Sequence, residues 1–251
     1  MILKSLKLFL QNVQKNRTLM DTILESYIDF NILFIQEPPW SFIHSILSFS
    51  NEEGDSLVGA PNHPNWIIFS RPLNDNNDHP HVILYINTCL SYLYFFLQKD
   101  IFNHKVINCF SFFNNSDIFF MLNVYSDDHQ SVLKYLKDTE VNLQNILIMA
   151  GNFNIRDSIW NPSYPFYSSH SDSLLEIADS LGFKLSNPIQ QIPTQYSNNT
   201  NNTNSVINLF FLHPNSMEID NHSINPDIWY PSDYTPLTID IVIIEEFIQD
   251  K

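Results

Sequence analysis

Short, unbroken apolar runs that stop at turn-forming residues most constrain the fold of this 251-residue chain. Residues 32–35 (Ile-Leu-Phe-Ile) form one such run, which ends shortly before Pro38 and Pro39. Residues 146–150 (Ile-Leu-Ile-Met-Ala) form another, which ends at Gly151. Runs this short are typical of strands that are buried on both faces. The sequence therefore predicts sheets that are covered on two sides.

Further segments complete the predicted secondary structure. Apolar segments bounded by turn residues predict strands at 6–13, 66–70, 81–87, 91–97, 106–112, 118–125, 206–212 and 237–244. Apolar spacing predicts helices at 18–28, 131–145 and 173–181. In the last helix, Ser173 and Glu176 match a capping box and Gly182 supplies the end. Strands grouped before and after helices, without strict alternation, predict packed sheets with helices outside them.

Two polar segments have simple structural interpretations. Asp127-Asp128-His129 resembles a metal cluster, but we interpret it as the start of the helix that follows, because exposed helix amides favour Asp. Residues 196–205 are rich in Asn and Thr and predict a surface loop. Nothing resembles an interdomain linker, so we expect one domain over residues 1–251.

Charge limits the classes of partner. The formal net charge is −15, the isoelectric point is near 4.7, and the 12 Lys and Arg residues are scattered singly. Duplex nucleic-acid binding usually needs a basic patch, because phosphate neutralisation supplies much of the affinity. The composition therefore counts against tight DNA binding.

The sequence also suggests a compartment. Cys89 and Cys109 are isolated, which fits reduced thiols better than a disulfide framework. The apolar N-terminus is interrupted by Lys4 and Lys7 and lacks the features of a signal peptide. No apolar run is long enough to predict a transmembrane helix. We expect an intracellular protein, nuclear or cytoplasmic, with no membrane partner.

Polar side chains interrupt the apolar strands near their ends. Such residues come from distant parts of the chain: Asn12, Glu37, Tyr125, Asn152, Asn154, Asn208 and Asp233. The ends of strands in packed sheets can converge on one rim. We therefore expect these side chains to surround a common cavity large enough for a phosphate.

Six ordered motifs carry a resemblance to a known family. They are Gln11-Asn12, Ile35-Gln36-Glu37-Pro38, Asn123-Val124-Tyr125, Gly151-Asn152-Phe153-Asn154, Ser205-Val206-Ile207-Asn208-Leu209 and Ser232-Asp233-Tyr234-Thr235-Pro236-Leu237. The series resembles the endonuclease/exonuclease/phosphatase domain, especially the apurinic-type endonuclease of fungal non-LTR retrotransposons. The resemblance spans Asn12 to Leu237. It implies a four-layered α/β sandwich of the DNase I type, in which helices flank two packed, mainly antiparallel sheets.

The resemblance also implies a reaction and its residues. The reaction is hydrolysis of a DNA phosphodiester by an activated water, with Mg²⁺ or Mn²⁺ stabilising the charge. Glu37 would be the principal metal ligand with Asn12 beside it, since Mg²⁺ prefers oxygen ligands. Tyr125 and Asn154 would orient the phosphate. The resemblance further assigns a phosphate contact to Thr194, and it pairs Asp233 with the histidine that normally follows it.

Three positions depart from the family pattern. Asn152 replaces an Asp that activates the water, and an amide cannot accept a proton at neutral pH. Tyr234 replaces the catalytic His, and Asn208 replaces an Asp within a strand. We expect an impaired or inactive nuclease on an intact fold.

Two alternatives remain open. The first is an active phosphodiesterase in which His170, Asp157 or Asp172 replaces the missing base. The second is a non-catalytic binding module that uses the same cleft. No reverse transcriptase region follows the motifs, so we expect a solitary copy or a fragment; the oligomeric state stays undetermined.

Overall fold

The structure, a computed structural model, describes residues 5–46, 56–70, 79–98, 105–114, 117–127, 129–138, 146–162, 164–187, 193–196, 204–214, 217–224 and 233–243. Several sequence-based predictions fall partly outside these residues. They concern the helix at 139–145, the loop at 197–203, the end of the last strand at Ile244, Asp128 of the helix start and Ser232 of the last motif.

The described residues form two mixed sheets, a small hairpin and three α-helices. The strands are β1 (Ser5–Asn12), β2 (Ile32–Gln36), β3 (His44–Ile46), β4 (Ser56–Val58), β5 (Trp66–Phe69), β6 (Val82–Asn87), β7 (Phe95–Gln98), β8 (Ile107–Asn114), β9 (Asp117–Tyr125), β10 (Ile146–Asn152), β11 (Lys184–Leu185), β12 (Asn208–Leu212), β13 (Met217–Ile224) and β14 (Leu237–Ile243). The helices are α1 (Arg17–Ser26), α2 (Ser131–Asp138) and α3 (Ser169–Ser180), and 3₁₀ turns lie at Trp40–Phe42 and Thr88–Leu90.

One sheet has the strand order β13-β14-β1-β2-β6-β5, and the other has the order β11-β12-β10-β9-β8-β7. Most neighbouring strands are antiparallel. The parallel pairs are β1 with β2 and β9 with β10, one at the centre of each sheet. The predicted mainly antiparallel arrangement is confirmed.

Alternation along the central strands explains the layers. Leu8 and Leu10 of β1 point into the core between the sheets, whereas Phe9 points to the opposite face and packs with α1. Across the interface, the rings of Phe34 and Phe210 meet edge to face with 6.3 Å between centroids. Because side chains alternate between faces, a strand with a continuous apolar sequence must be covered on both sides. The central strands of both sheets meet this condition.

The helices supply the outer covers. α1 is capped by Asn16, whose side chain accepts a hydrogen bond from Leu19 N, and it buries Leu19, Met20, Ile23 and Leu24. α2 and α3 bury their apolar faces against the outer side of the other sheet, where Leu133, Leu136, Leu174 and Ile177 pack. The order helix, sheet, sheet, helix confirms the predicted four-layered α/β sandwich.

Three sequence-based details need correction. α3 begins at Ser169 with Ser168 as its N-cap, so the predicted capping box of Ser173 and Glu176 is wrong. The segment predicted as a strand at 91–97 becomes extended only at Phe95, after a 3₁₀ turn. The edge strand β13 was not predicted, because Met-Glu-Ile-Asp-Asn-His-Ser-Ile lacks a clear apolar pattern.

Within the described residues, every helix is too short and too polar to cross a membrane.

Candidate functional site

The two parallel strand pairs place polar residues on one rim of the sandwich. Asn12 at the end of β1 lies level with Gln36 at the end of β2. In the other sheet, Tyr125 lies level with Asn152, which in turn pairs with Asn208 on its far side. Carboxyl ends of parallel strands share an edge of their sheet, so each sheet presents its polar residues on the same side.

Buried amides connect the two sheets directly beneath this rim. Gln36 Nε2 donates to Asn123 Oδ1 at 2.8 Å, and Asn123 Nδ2 donates to the carbonyl oxygen of Ile83 at 2.9 Å. Both amide side chains are fully buried. These bonds hold the strand ends of one sheet against those of the other, so the two rims form one cleft.

Glu37 lies on one side of the cleft. Its Oε2 accepts a hydrogen bond from Asn12 Nδ2 at 2.8 Å, and Lys15 Nζ lies 4.0 Å from its Oε1. The same ammonium lies over the ring of Trp40, 5.1 Å from the centroid. Asn12 Oδ1 accepts from Gln14 N at 2.9 Å. Glu37 is thus a partly buried carboxylate with an amide donor and a cation beside it.

Asp233 and Tyr234 close the same side, just before β14. Gln14 Nε2 donates to Asp233 Oδ2 at 3.4 Å, and Gln195 Nε2 donates to the Tyr234 hydroxyl at 3.2 Å. Burial, together with the negative charge of Glu37, raises the pKa of Tyr234 to about 12, although the Asn152 and Gln195 side chains lower it. Tyr234 is therefore a neutral phenol at physiological pH.

Asn152 and Asn208 form the floor. Both are fully buried, and within the described part of the chain Asn152 Nδ2 and both side-chain amide atoms of Asn208 make no well-formed hydrogen bond. Gly151 allows this floor to form: a Cβ there would lie 1.9 Å from the carbonyl oxygen of Val124, so β9 and β10 approach closely only with glycine. Buried polar atoms without partners are rare in proteins.

Tyr125 ends β9 and Asn154 follows β10, both in the second sheet. Asn154 N donates to Asn152 Oδ1 at 3.0 Å, and Asn154 Nδ2 donates to the carbonyl oxygen of Ser126. The ring of Tyr125 stacks on His81 with 5.2 Å between centroids and 7° between planes. Both side chains are held in place by neighbours, and both remain partly accessible from the cleft.

Thr194 has a different environment. It is fully buried, and its hydroxyl oxygen accepts hydrogen bonds from Ile207 N at 2.9 Å and Asn208 N at 3.1 Å. Thr194 therefore fixes the start of β12, where Asn208 lies.

Backbone conformation marks the same cleft. The described residues with positive φ other than glycine are Gln14, Lys15, Glu37, Gln130 and Asn154, with φ between 45° and 61°. All of them contact residues of the cleft: Gln130 Nε2, for example, donates to the carbonyl oxygen of Asn154 at 3.4 Å. A left-handed conformation is unfavourable for side chains of this size, and such residues concentrate at functional sites.

A depression continues from the cleft beyond Asn154. It has a volume of about 440 Å³ and lies between residues 154–156 and residues 164–170. Asp157, beneath it, is fully buried and accepts hydrogen bonds from Ile159 N at 2.9 Å, Ser168 N at 2.7 Å and the Ser171 hydroxyl. These bonds shape the wall of the depression and fix the start of α3.

The structure brings the predicted site residues together. Glu37, Asn12 and Asp233 are connected through Gln14, while Tyr234, Asn152 and Asn154 follow one another around the cleft. Tyr125 and Asn208 flank Asn152 in the sheet, and Thr194 supports Asn208. The sequence interpretation missed four residues that link these groups: Gln14, Lys15, Gln195 and Arg156. Only the first two could have been found, since they follow Asn12 closely.

Comparison with known proteins supports the fold. No known family profile and no curated protein sequence matches the chain significantly. Among solved structures, the endonuclease domain of TRAS1, a telomere-specific non-LTR retrotransposon, aligns with a TM-score of 0.70 at 15% identity, covering 94% of this chain and 98% of that one. The AP endonuclease LMAP from Leishmania major aligns with a TM-score of 0.65 at 11% identity, covering 95% and 88%. D. rerio TDP2 complexed with single-strand DNA product aligns with a TM-score of 0.52 at 12% identity, covering 94% and 98%.

These alignments cover nearly all of this chain and define its class of structure. The chain has the four-layered α/β sandwich fold of the endonuclease/exonuclease/phosphatase structures. The structures that it resembles include a retrotransposon endonuclease and an AP endonuclease.

Proposed function

We propose that this chain is a retrotransposon-type member of the endonuclease/exonuclease/phosphatase family that binds nucleic-acid phosphodiesters but has lost most of its hydrolytic activity. The observation that supports a functional cleft is the concentration of left-handed backbone at Gln14, Lys15, Glu37, Gln130 and Asn154. Each such residue costs about 1–3 kcal/mol, so a fold without a function there would be expected to relax them.

Loss of activity follows from the chemistry of the floor. Proton abstraction from the attacking water needs a group that accepts a proton, and general-base help is commonly worth roughly 10²–10⁴-fold. Asn152 and Asn208 are amides, and Tyr234 is a neutral phenol with a pKa of about 12. None of the three supplies a base or a cation at neutral pH. Contributions within one catalytic unit are not additive, so the total loss is smaller than their product.

Metal binding should persist only weakly. Within the described chain, no group of three or more His, Cys, Asp or Glu could hold a metal ion. Mg²⁺ often uses one or two carboxylates and keeps several waters, so Glu37 with Asn12 beside it meets the minimum requirement. Lys15, 4.0 Å away, competes for the same carboxylate. A bound Mg²⁺ or Mn²⁺ would neutralise charge on the phosphate.

The remaining residues would position the phosphodiester. Asn154 and Tyr125 are held by their neighbours at the open side of the cleft and would contact the phosphate. The burial of Thr194 supports a positioning role for it, in preference to a direct phosphate contact. Asp233 no longer has a histidine to orient and would instead hold Gln14.

An active phosphodiesterase with a substitute base is the second candidate. Asp157 does not suit this role, because its carboxylate is occupied by the donors of the loop above it. Asp172 is exposed and accepts a hydrogen bond from the Tyr167 hydroxyl. His170 lines the depression beside Asn154 and is the base that this candidate requires. The non-catalytic binding module differs from the first proposal only in that cleavage is lost completely.

DNA remains the expected ligand. We also continue to expect a single domain over residues 1–251 and an intracellular protein. The structure with single-strand DNA product supports a nucleic-acid ligand by analogy of fold. A net charge of −15 lowers the expected affinity.

Binding and cleavage should be measured separately. We expect saturable binding of a labelled oligonucleotide by fluorescence anisotropy, weakened by Asn154→Ala. We also expect no nicking of supercoiled plasmid with Mg²⁺ or Mn²⁺ beyond that of a Glu37→Ala control. Nicking that disappears in both Glu37→Ala and His170→Ala would establish the second candidate. Absence of any oligonucleotide binding would refute the phosphodiester site.

A further inference from the structure

The depression beside Asn154 has an aromatic rim that the proposed chemistry does not use. Phe166 is 65% exposed and Tyr167 is 61% exposed, and Tyr164 meets Phe166 edge to face with 5.6 Å between ring centroids. Exposed aromatic side chains that lie together often mark a binding surface. The volume of about 440 Å³ falls in the range of small-ligand sites.

This rim is built on a fixed support. Asp157 accepts hydrogen bonds from Ser168 N and from Ile159 N, at either end of the segment that carries the aromatic residues. Just before that segment, Ser158 N donates to the carbonyl oxygen of Phe166 at 3.3 Å. A surface that is ordered before binding loses less conformational entropy when a ligand arrives.

The depression is continuous with the phosphate side of the cleft. Asn154 and Arg156 line it, and Arg156 Nη2 donates to Gln195 Oε1 at 3.3 Å. Gln195 in turn contacts the Tyr234 hydroxyl. A nucleotide whose phosphate lies at Asn154 would therefore have its base within reach of the aromatic rim.

The charge of the chain decides which form of nucleic acid suits this arrangement. With a net charge of −15, phosphate neutralisation contributes little affinity, and stacking on aromatic rings must supply a larger share. Bases in an intact duplex are already stacked on one another and cannot present their faces to Phe166 or Tyr167. An unpaired base can do so.

We propose that Tyr164, Phe166 and Tyr167 form a stacking site for an unpaired nucleobase, so that the chain selects single-stranded or locally unpaired nucleic acid over intact duplex. The inference rests on the proposed function for the position of the phosphate. It adds the class of ligand and the source of the affinity.

The test compares ligands and matched variants by fluorescence anisotropy with the full chain. The ligands are a labelled single strand, the same sequence as a duplex, and an abasic strand of equal length that keeps the phosphates but lacks the bases. The variants are Phe166→Ala with Tyr167→Ala, and a control pair, Tyr94→Ala with Phe96→Ala, which removes exposed aromatic residues elsewhere (71% and 45% exposed). Thermal unfolding checks that each variant folds.

The expected result has three parts. The single strand binds more tightly than the duplex, and the Phe166/Tyr167 pair weakens single-strand binding roughly ten-fold to a hundred-fold. The same pair leaves abasic-strand binding unchanged, and the control pair changes neither. The affinity for the single strand depends only shallowly on salt, with a logarithmic slope of about −1 to −2 for the few phosphates contacted.

Three kinds of outcome would overturn different statements. Tighter binding of duplex, or an equal effect of both aromatic pairs on every ligand, would refute the stacking site. In that case, binding of the abasic strand that depends on Asn154 would still support the proposed function. No binding of the abasic strand or the single strand by the native chain would refute both. Binding of a free nucleoside monophosphate as tight as that of the strand would assign the site to a mononucleotide and overturn the preference for a strand.

Discussion

Two buried polar groups near one cleft differ in how the fold satisfies them. Asp157 lies beneath the aromatic wall, which is the segment at residues 164–167 that carries the aromatic rim. Both oxygens of its carboxylate accept hydrogen bonds, from two backbone amides and from the Ser171 hydroxyl. Asn208, on the floor, is equally buried, yet both atoms of its side-chain amide lack partners among the described residues.

The difference distinguishes a polar group that stabilises the fold from one that does not. A buried polar group with a full set of hydrogen bonds stabilises its surroundings, whereas one without partners costs about 1–3 kcal/mol. The wall is therefore maintained by the fold, and the floor carries, in the side-chain amide of Asn208, a polar group without a partner among the described residues. Such a floor is expected where side chains once served a ligand or a reaction. The predictions below test this contrast, from the largest expected effect to the smallest.

Removal of the carboxylate under the wall should have the largest effect on stability. Asp157→Ala removes the acceptor of two backbone amides and one acceptor of the Ser171 hydroxyl, and we expect the free energy of unfolding to fall by about 3 kcal/mol. Asp172→Asn changes an exposed carboxyl in the first turn of α3 and should cost no more than about 0.5 kcal/mol. Urea denaturation measures both. Equal effects of the two variants would remove the structural role assigned to Asp157.

Substitution of buried amides by leucine compares the floor with the inter-sheet contact. Asn123→Leu breaks the bonds to Gln36 and Ile83 and should destabilise the chain by about 2 kcal/mol. Asn208→Leu removes an amide with no side-chain partner and should be neutral or stabilising, by about 1 kcal/mol at most. Urea denaturation gives both values. A loss at Asn208 as large as that at Asn123 would show that its amide has a structural role.

Acid should weaken the wall in a predictable direction. Burial raises the pKa of Asp157, but hydrogen bonds from Ser171, Ile159 and Ser168 outweigh it and hold the pKa below its usual value of 3.8. Its stabilisation is therefore complete above about pH 4 and is lost as the pH falls through the folded value. In Asp157→Asn, stability should fall less steeply on acidification, as measured by urea midpoints from about pH 6 to pH 2.5. Parallel curves for both proteins would contradict the assignment.

The left-handed backbone gives the smallest effect and the clearest trade-off. Gln14→Gly relieves an unfavourable φ of 49° and should raise the free energy of unfolding by up to about 1 kcal/mol. It also removes the hydrogen bond to Asp233 and should weaken oligonucleotide binding. Lys134→Gly, in the middle of α2, should instead lose about 1 kcal/mol with binding unchanged. Urea denaturation measures stability and anisotropy measures binding. A loss of stability in Gln14→Gly as large as that in Lys134→Gly would contradict strain at this position.

Much of the fold was accessible from the sequence because its central strands are buried on both faces. Continuous apolar runs such as residues 32–35 and 146–150 predict this burial directly. The edge strand β13 was missed because, among the described residues, one of its sides has no neighbouring strand, and because its sequence alternates poorly. The start of α3 was misplaced because residues 168–173 offer several serines as caps. Asp157, which precedes these serines by more than ten residues, accepts hydrogen bonds from Ser168 N and the Ser171 hydroxyl and so fixes Ser168 as the N-cap.

In the site, too, some residues could be predicted from the sequence and others could not. Residues at the ends of strands, such as Glu37 and Asn152, could be predicted because motif order and parallel pairing place them on one rim. Gln195 and Arg156 could not, since they reach the cleft from loops whose paths are set by tertiary contacts. The aromatic rim was also missed, because Phe166 and Tyr167 do not differ in sequence from residues of the core.

The most direct test of the account restores the catalytic groups that the cleft lacks. Asn152→Asp, Asn208→Asp and Tyr234→His, combined in one protein, should convert supercoiled plasmid to the nicked form in the presence of Mg²⁺. The native chain should not do so, and adding Glu37→Ala to the triple variant should abolish the activity. Nicking by the native chain that is lost on Glu37→Ala would contradict the claim that this cleft binds phosphodiesters without cutting them.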